Sequence, residues 1–509
     1  MPKLVFNKSS YGLDEYRINA KRIAAVMLAK GIQAGSTVAI LMRNDVTLFE
    51  VIEACRYLEA SFLPLNWHAT GAELSYILED SGAKILISHE DLFDSAFSDG
   101  SADTILQSIT TLSYPTPSNI YASYGLVKAD MTFVNTKCED LYTLIQAVQP
   151  LTTETKPFRG LLAYTSGSTG KPKGIRRQVN QNQPDLYPVY EGLARSLLKL
   201  NSGDRYYIAA PLYHSAPNTL SLCCLAAQDV DVYIEPKFVA EQFLADIERY
   251  KITHVYIVPT MMIRLLKLPD ESKAKYDVSS LKFGISSGSA WPSDVKHAMI
   301  DWFGPIFYES YGASEIGFMT LISSQEALEK PGSVGKVLPG GSVKIVDDEL
   351  NELPTGESGT IYVYLPMFGD FVYSNTDVAQ VEQRYLGHTT VGDVGYLDSE
   401  GYLYINDRKK DMIISGGANI FPAEIEAIMI QMEQIEDCAV FGIPDAEYGE
   451  KVVAAVTCQQ GLTLSLAELH LYLNGKLSRY KYPKQLHIHE SLPREDSGKV
   501  FKQKLRAMY

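Results

Sequence analysis

Cysteine is scarce. The 509 residues hold six, Cys55, Cys138, Cys223, Cys224, Cys438 and Cys458, and none forms a C-x-x-C pair. That excludes a disulfide framework and points to a reduced, cytoplasmic chain. Positive charge is short as well. Lys and Arg total 46 against 61 Asp and Glu, a net charge of −15. An acidic balance argues against a nucleic-acid partner, which needs a basic face for phosphate. Long apolar runs are missing. The run around Val255 to Ile263 is interrupted and falls short of the roughly 20 residues a spanning helix requires. The opening stretch, MPKLVFNKSSYG, has no apolar segment of the secretory type. There is no internal repeat and no low-complexity tract.

What remains is ordinary globular composition, 46% hydrophobic and 21% charged. Three or four domains are expected at roughly 150 residues each, and a large core needs no disulfides or metals.

Residues Tyr16 to Leu28 carry apolar side chains at helical spacing and stop before Gly31. Thr37 to Met42 reads as a buried strand, Leu48 to Ala60 as a helix and Lys84 to Ser88 as a strand. This alternation predicts α/β layers around a mostly parallel sheet. Residues 97–157 are rich in Ser, Thr, Pro and Asp, and predict surface elements and loops. Alternation resumes with strands at Tyr206 to Ala210 and His254 to Val258, and helices at Val239 to Tyr250 and Trp291 to Phe303. Short β-rich runs from Pro339 to Tyr364 predict a small antiparallel β subdomain. A charged run, Asp407 to Asp411, precedes a helix starting at Pro422. From Lys476 onward nine Lys or Arg face three Asp or Glu. That basic end reads equally as an anion-facing surface or as a solvated helix end.

One segment stands out chemically: Tyr164-Thr-Ser-Gly-Ser-Thr-Gly-Lys-Pro-Lys-Gly174, after the apolar Leu161-Leu162-Ala163. Small residues let backbone N–H groups curl around phosphate oxygens. The hydroxyls of Thr165, Ser166, Ser168 and Thr169 add donors, and Lys171 and Lys173 add charge. A Walker A loop is excluded, because only two residues separate Gly167 from Gly170 and Pro172 follows the lysine. A P-loop ATPase fails on the same spacing.

This string resembles the phosphate loop of the adenylate-forming superfamily, which groups acyl-CoA synthetases, peptide-synthetase adenylation domains and firefly-type luciferases. Further segments match in order and cover nearly the whole chain: Tyr311-Gly-Ala-Ser-Glu315, Gly392-Asp393 to Asp398, Asp407-Arg408, Lys409 to Glu426, and Leu492 to Val500. The resemblance implies a large N-terminal region of layered α/β subdomains with a small β subdomain, residues 1–408. A small, mobile α+β domain, 409–509, would follow. It implies ATP, Mg²⁺ and CoA as ligands.

The resemblance assigns residues as follows. Residues Thr165, Ser166, Gly167, Ser168, Thr169, Gly170, Lys171 and Lys173 take phosphate. The segment at Gly288, Ser289 and Ala290 lines the adenine and acyl pocket, where many relatives have Gly-Ala-Pro. Tyr311 and Gly312 lie near adenine, Ser314 (usually Thr) touches phosphate, and Glu315 holds Mg²⁺. Asp393 and Arg408 take the ribose hydroxyls, Lys410 is the interdomain hinge, and Gly416 and Gly417 let a pantetheine arm pass. Lys499 matches the catalytic lysine that stabilises charge in adenylate formation. His214, in Pro211-Leu-Tyr-His-Ser-Ala-Pro217, reads as a group near the carboxylate, a gate to the thiol tunnel, or a packed core histidine. No acid stands between Pro211 and Gln228, so nothing there pairs with an amino group. A plain carboxylic acid, in the manner of fatty-acid and bile-acid ligases, is the expected substrate, with Val258, Met261, Met262 and Trp291 near its acyl group.

The expected reaction is ATP-dependent formation of an acyl-adenylate, then transfer to CoA. A stand-alone enzyme loading a carrier protein is the nearest alternative. A luciferase-type oxygenase is neither supported nor excluded. A non-catalytic relative is disfavoured by the joint presence of Lys171, Glu315, Asp393, Arg408 and Lys499. A homodimer is compatible with this reading. Two features are set aside: His487-Ile-His489 reads as a surface strand rather than a metal pair, and Cys223-Cys224 as helix residues with at least one in the core.

Overall fold

A computed structural model describes residues 2–127, 138–165, 172–177, 185–288, 291–366, 371–374, 384–409, 411–415, 418–446, 448–494 and 500–509. The chain packs into two compact units. The first holds 1–318, 323–325 and 365–381, and the second holds 319–322, 326–364 and 382–509. The division expected after Arg408 is a different cut, lying between two sheets of the second unit.

Two parallel sheets form the body of the first unit. In one, Ser61–Pro64, Thr37–Leu41, Ala83–His89, Thr110–Tyr114 and Glu139–Asp140 lie side by side, all parallel. In the other, Lys3–Phe6, Asp231–Ile234, Arg205–Ile208, His254–Tyr256, Phe283–Ser287 and Phe307–Ser310 follow in order, again parallel. Such strands are covered on both faces, and they read as continuous apolar runs. The expected strands and helices sit where periodicity puts them, within two or three residues at most ends. His254 to Val258 is shorter than expected: the strand stops at Tyr256 and a helix starts at Pro259, whose fixed φ suits a first turn.

Residues 97–157 hold more than the surface elements and loops expected. Thr110–Tyr114 is an internal strand whose Thr111, Leu112 and Ser113 are buried. Its hydroxyl-rich sequence hides the apolar period that marks the neighbouring strands.

Asn44 ties the two parallel sheets together. Its buried amide donates to the carbonyls of Ala210 (2.9 Å) and Glu235 (3.2 Å), and accepts from the Leu212 N–H (3.0 Å). This fixes the chain leading into Tyr213 and His214. The helix that follows, Ser215–Ala227, buries both Cys223 and Cys224.

The second unit contains the expected antiparallel β layer. Ser342–Val346 pairs with Gly359–Tyr364, which pairs with Asp393–Leu397, which pairs with Leu403–Arg408. A separate sheet is built on the hairpin Ile435–Asp445 and Gly449–Cys458, with Gln485–Ile488 added in parallel. Alternation in Val452-Val-Ala-Ala-Val456 serves both faces of that hairpin. Val452, Ala454 and Val456 pack toward Ile425 and Leu469, whereas Val453 and Ala455 pack toward Leu492 and Leu505. The helix Pro422–Met429 has proline in its first turn, as expected. His487 stacks on Tyr509 at 3.8 Å between ring centres, and His489 Nε2 lies 2.9 Å from the Tyr509 hydroxyl.

Candidate active site

A strand does precede the glycine- and hydroxyl-rich loop, but it is Ala163–Thr165, shifted two residues beyond the apolar Leu161–Ala163. It pairs antiparallel with Lys173–Arg177, and Thr165 is the register partner of Lys173. The ends of the loop are therefore pinned opposite one another. Ser166, Gly167, Ser168, Thr169, Gly170 and Lys171 lie outside the described residues. A third strand, Phe371–Tyr373, closes this small sheet along Lys173–Arg177. Asp80 anchors it by accepting from the hydroxyls of Tyr164 and Ser374. The Lys173 ammonium lies 5.3 Å from the centre of the Tyr373 ring.

The parallel strands Phe283–Ser287 and Phe307–Ser310 are neighbours, with Ser287 opposite Ser310. Gly288 and Tyr311 therefore leave the sheet side by side at its carboxyl edge, where open α/β sheets bind ligands. Gly288 has φ +90, a left-handed conformation that suits glycine. Ser289 and Ala290 lie outside the described residues.

After Tyr311 the chain makes a tight hairpin, Gly312–Ala313 against Gly317–Phe318. A Cβ on Gly312 would meet the Gly317 carbonyl oxygen at 2.1 Å, so only glycine fits. Ser314 and Glu315 occupy the turn, and three separate elements grip them. The Arg177 guanidinium donates to the Glu315 carbonyl (2.7 Å) and to the Ser314 carbonyl (2.8 Å). The Tyr373 hydroxyl donates to Glu315 Oε1 at 3.4 Å. The hydroxyls of Ser215 and Ser314 share a hydrogen bond of 2.8 Å. Burial, then the Glu315 carboxylate, push the Tyr373 phenol up, so it stays a donor. Burial lowers Arg177 from its usual value, although a guanidinium keeps its charge at neutral pH.

His214 is the residue before the helix Ser215–Ala227, its carbonyl accepting from Asn218 (3.2 Å) and its ring 4.3 Å from that of Tyr213. Among the residues expected near an acyl group, Met262 is fully buried and Trp291 packs edge-on against Phe307, whereas Val258 is half-buried.

In the second unit Asp393 and Arg408 are register partners on adjacent strands. Arg408 Nε lies 3.4 Å from Asp393 Oδ1, and the Asp393 side chain is buried while that of Arg408 is open to solvent. A Cβ on Gly395 would meet the Tyr404 carbonyl oxygen at 2.1 Å, so the close pairing needs that glycine. Asp407 serves the neighbouring layer, accepting from Ala423 N–H at 2.9 Å in the first turn of the helix Pro422–Met429. Lys502 pairs with Glu426 at 2.8 Å. Lys410, Gly416, Gly417 and Lys499 lie outside the described residues.

Sequence reasoning missed Arg177, Tyr373 and Ser215. Only Arg177 carries a signal: it follows Lys173 by four residues, so both fall on one face of a strand.

The donor set suits a metal–nucleotide. A carboxylate and a hydroxyl share one turn at Glu315 and Ser314, and Mg²⁺ takes hard oxygen ligands from one or two carboxylates together with phosphates.

The AMP-binding enzyme family matches residues 2–368, and its C-terminal domain matches residues 424–499. The chain is 31% identical over 495 residues to indoleacetate–CoA ligase of Aromatoleum aromaticum, covering 96% of this chain and 91% of that protein. It resembles the solved o-succinylbenzoate CoA synthetase of Bacillus subtilis with its acyl-adenylate intermediate: TM-score 0.82, 25% identity, 99% of this chain and 94% of that one. A structure of that synthetase with ATP and magnesium ion matches with TM-score 0.82 and 26% identity, over 99% and 96% of the two chains. With both family domains matched in order across residues built into this loop-and-strand geometry, the chain belongs to the adenylate-forming AMP-binding enzymes.

Proposed function

We propose that the protein is an AMP-forming carboxylic acid–CoA ligase. The acid's carboxylate oxygen attacks the α-phosphorus of ATP, the bond to the bridging oxygen breaks, and pyrophosphate leaves. The CoA sulfur then attacks the acyl carbon of the adenylate, its proton is released, and AMP leaves. A carboxylate is a poor electrophile, and adenylation gives it a good leaving group.

Bound Mg²⁺ supplies charge neutralisation on the nucleotide phosphates. Glu315 holds it, and Ser314, Lys173 and the loop 165–171 bind phosphate. Tyr311, Gly312 and the segment Gly288–Ala290 serve adenine. Asp393 accepts from the ribose hydroxyls, with Arg408 beside it. Lys499 stabilises the charge developing as the adenylate forms. Movement about Lys410 presents Gly416 and Gly417 to the pantetheine arm for the second step. His214 sits by the acyl carboxylate.

One observation supports this reading most: the strand ends at Gly288 and Tyr311 are adjacent, and the chain after Tyr311 enters a turn that carries a hydroxyl and a carboxylate. The substrate is an acid with an uncharged tail, since burying an unpaired ammonium is costly. No helix among the described residues is long and apolar enough to cross a membrane. The free cysteines fit work in the cytoplasm.

The test is a panel of fatty, aromatic and amino acids, read by pyrophosphate release with CoA, with a phosphopantetheinyl carrier protein, or with neither. Thioester formation on CoA is expected. Turnover with the carrier alone, or efficient activation of an uncapped amino acid, overturns the proposal.

A further inference from the structure

We infer that Arg177 is a positioning residue for the Mg²⁺–nucleotide site, setting the Ser314–Glu315 turn from behind, with Tyr373 orienting the Glu315 carboxylate. This rests on the reading of Glu315 as the metal ligand.

Successive carbonyls of an extended strand point to opposite sides. Here one guanidinium takes two consecutive ones, on Ser314 and Glu315. That is feasible only where the chain bends, and it holds the bend. The Ile316 N–H to the Ala313 carbonyl (3.2 Å) closes the same turn. Arg177 thus fixes the backbone from which both the hydroxyl and the carboxylate project.

The side chains of the turn are held separately. Ser215 takes the Ser314 hydroxyl and Tyr373 takes a Glu315 oxygen. Arg177 and Tyr373 come from adjacent strands, with Arg177 opposite Phe371 and Tyr373 opposite Ile175. The Arg177 strand begins at Lys173, where the phosphate loop ends. One strand therefore joins the phosphate loop to the carboxylate turn. A shift in either is transmitted through Arg177 to the other.

A purely structural arginine would serve all ligand states alike. A positioning arginine matters most when the metal is present, because octahedral Mg²⁺ tolerates little displacement of its oxygens. The separating measurement is equilibrium binding of ATP to the full-length protein by titration calorimetry, with Mg²⁺ and with chelator, and with no acid present. Thermal melting of each variant accompanies it.

Arg177→Met is expected to bind metal-free ATP nearly as the unaltered protein does, and to lose about tenfold of the tightening that Mg²⁺ brings. Arg177→Lys, which can reach one carbonyl, should recover part of it. Tyr373→Phe should lose about two- to threefold. It keeps the ring, so it tests the inference even if Arg177→Met does not fold.

Equal weakening of ATP binding with and without Mg²⁺, or no change in either, overturns the inference. Glu315→Gln separates the two levels. If it loses the Mg²⁺ effect while Arg177→Met and Tyr373→Phe keep it, the inference alone fails. If it keeps the full Mg²⁺ effect, the metal assignment fails and the inference falls with it.

Discussion

The two units hold their candidate nucleotide residues by opposite means. In the second unit Asp393 and Arg408 meet because they are register partners on paired strands, 15 positions apart in sequence. The backbone ladder does the placing. In the first unit Glu315 stands in a turn, and the groups that fix it come from 138 and 58 positions away. A hairpin site is local, so substitutions there should act on ligand contacts alone. A turn held by distant side chains should pass damage between its supports. Two acids within the units differ in a similar way, though not by unit. Glu426 has Lys502 as its cation, as the buried Glu309 has Lys296, whereas Glu50 is held by an amide, that of Asn19 at 3.0 Å.

The largest effect expected tests whether the second unit's contribution to chemistry is charge alone. Lys499→Ala should cut adenylate formation roughly 10²- to 10³-fold, by analogy with loss of one oxyanion donor. Thioester formation from supplied acyl-adenylate should be spared, since the charge serves only the first transition state. Equal loss in both half-reactions would assign Lys499 a structural role instead.

Next comes the half-buried acid paired with Lys502. Burial pushes the Glu426 carboxyl up, and the Lys502 ammonium offsets part of that. Lys502→Met leaves the half-buried acid without its cation, with the Val440 N–H as its remaining donor. Stability in urea should fall by roughly 2 kcal/mol, discounted from fully buried pairs because both side chains are partly exposed. Replacing both, with Glu426→Gln added, should restore most of the loss. No restoration would mean that Lys502 acts through packing.

Asp393→Ala sharpens the hairpin half of the comparison. It should raise the KM for ATP about tenfold, the worth of one or two ribose hydrogen bonds. The melting temperature should hardly move, because the ladder and not the partly exposed ion pair sets the strands. A large drop in melting temperature would show that this site also depends on more than its register.

The same contrast explains what could be read from sequence. The parallel strands near Thr37 and Ala83, the helix at Pro422 and the antiparallel layer at Ser342 announce themselves by period and punctuation. The nucleotide segments were legible through their resemblance to the adenylate-forming enzymes, and the close backbone approach at Gly312 gives one physical reason why a residue type there is confined. Thr110–Tyr114 was hidden because one of its buried faces carries the hydroxyls of Thr111 and Ser113, leaving Leu112 as its single aliphatic residue. Arg177 shares a strand face with Lys173, but the sequence does not say what it holds. Only tertiary packing shows that Arg176 donates to the Ser81 carbonyl and Arg177 to those of Ser314 and Glu315. Local periodicity reports what a residue's neighbours in sequence demand, and these residues answer to neighbours in space.

The effect confined to the narrowest set of conditions concerns the acid held by an amide. Glu50 is held up to about 7 from an ordinary 4.5, first by burial, with Asp45 and Glu15 adding to it and the Asn19 hydrogen bond opposing it. A carboxyl whose folded value is raised keeps its proton in the fold and loses it when unfolded. Its contribution is therefore fully present below about 4.5 and is lost as pH rises through about 7. His254 has the opposite sign in an overlapping window. Burial depresses it to about 4, so its contribution is full above about 6.5 and is lost as pH falls toward 4. A bare pH profile of the protein therefore mixes the two. Comparing it with Glu50→Gln cancels His254, which both proteins share. Relative to the unaltered protein, the variant should gain roughly 2 to 3 kcal/mol of stability between pH 5 and 8, since the window from about 4.5 to about 7 spans about 2.5 pH units at about 1.4 kcal/mol each and pH 5 already lies inside it. The desolvation cost of the buried amide moves the whole difference by a constant and not its slope. A difference that does not change between pH 5 and 8 would mean that Glu50 stays ionised in the fold, and that the first unit supplies it with a partner after all.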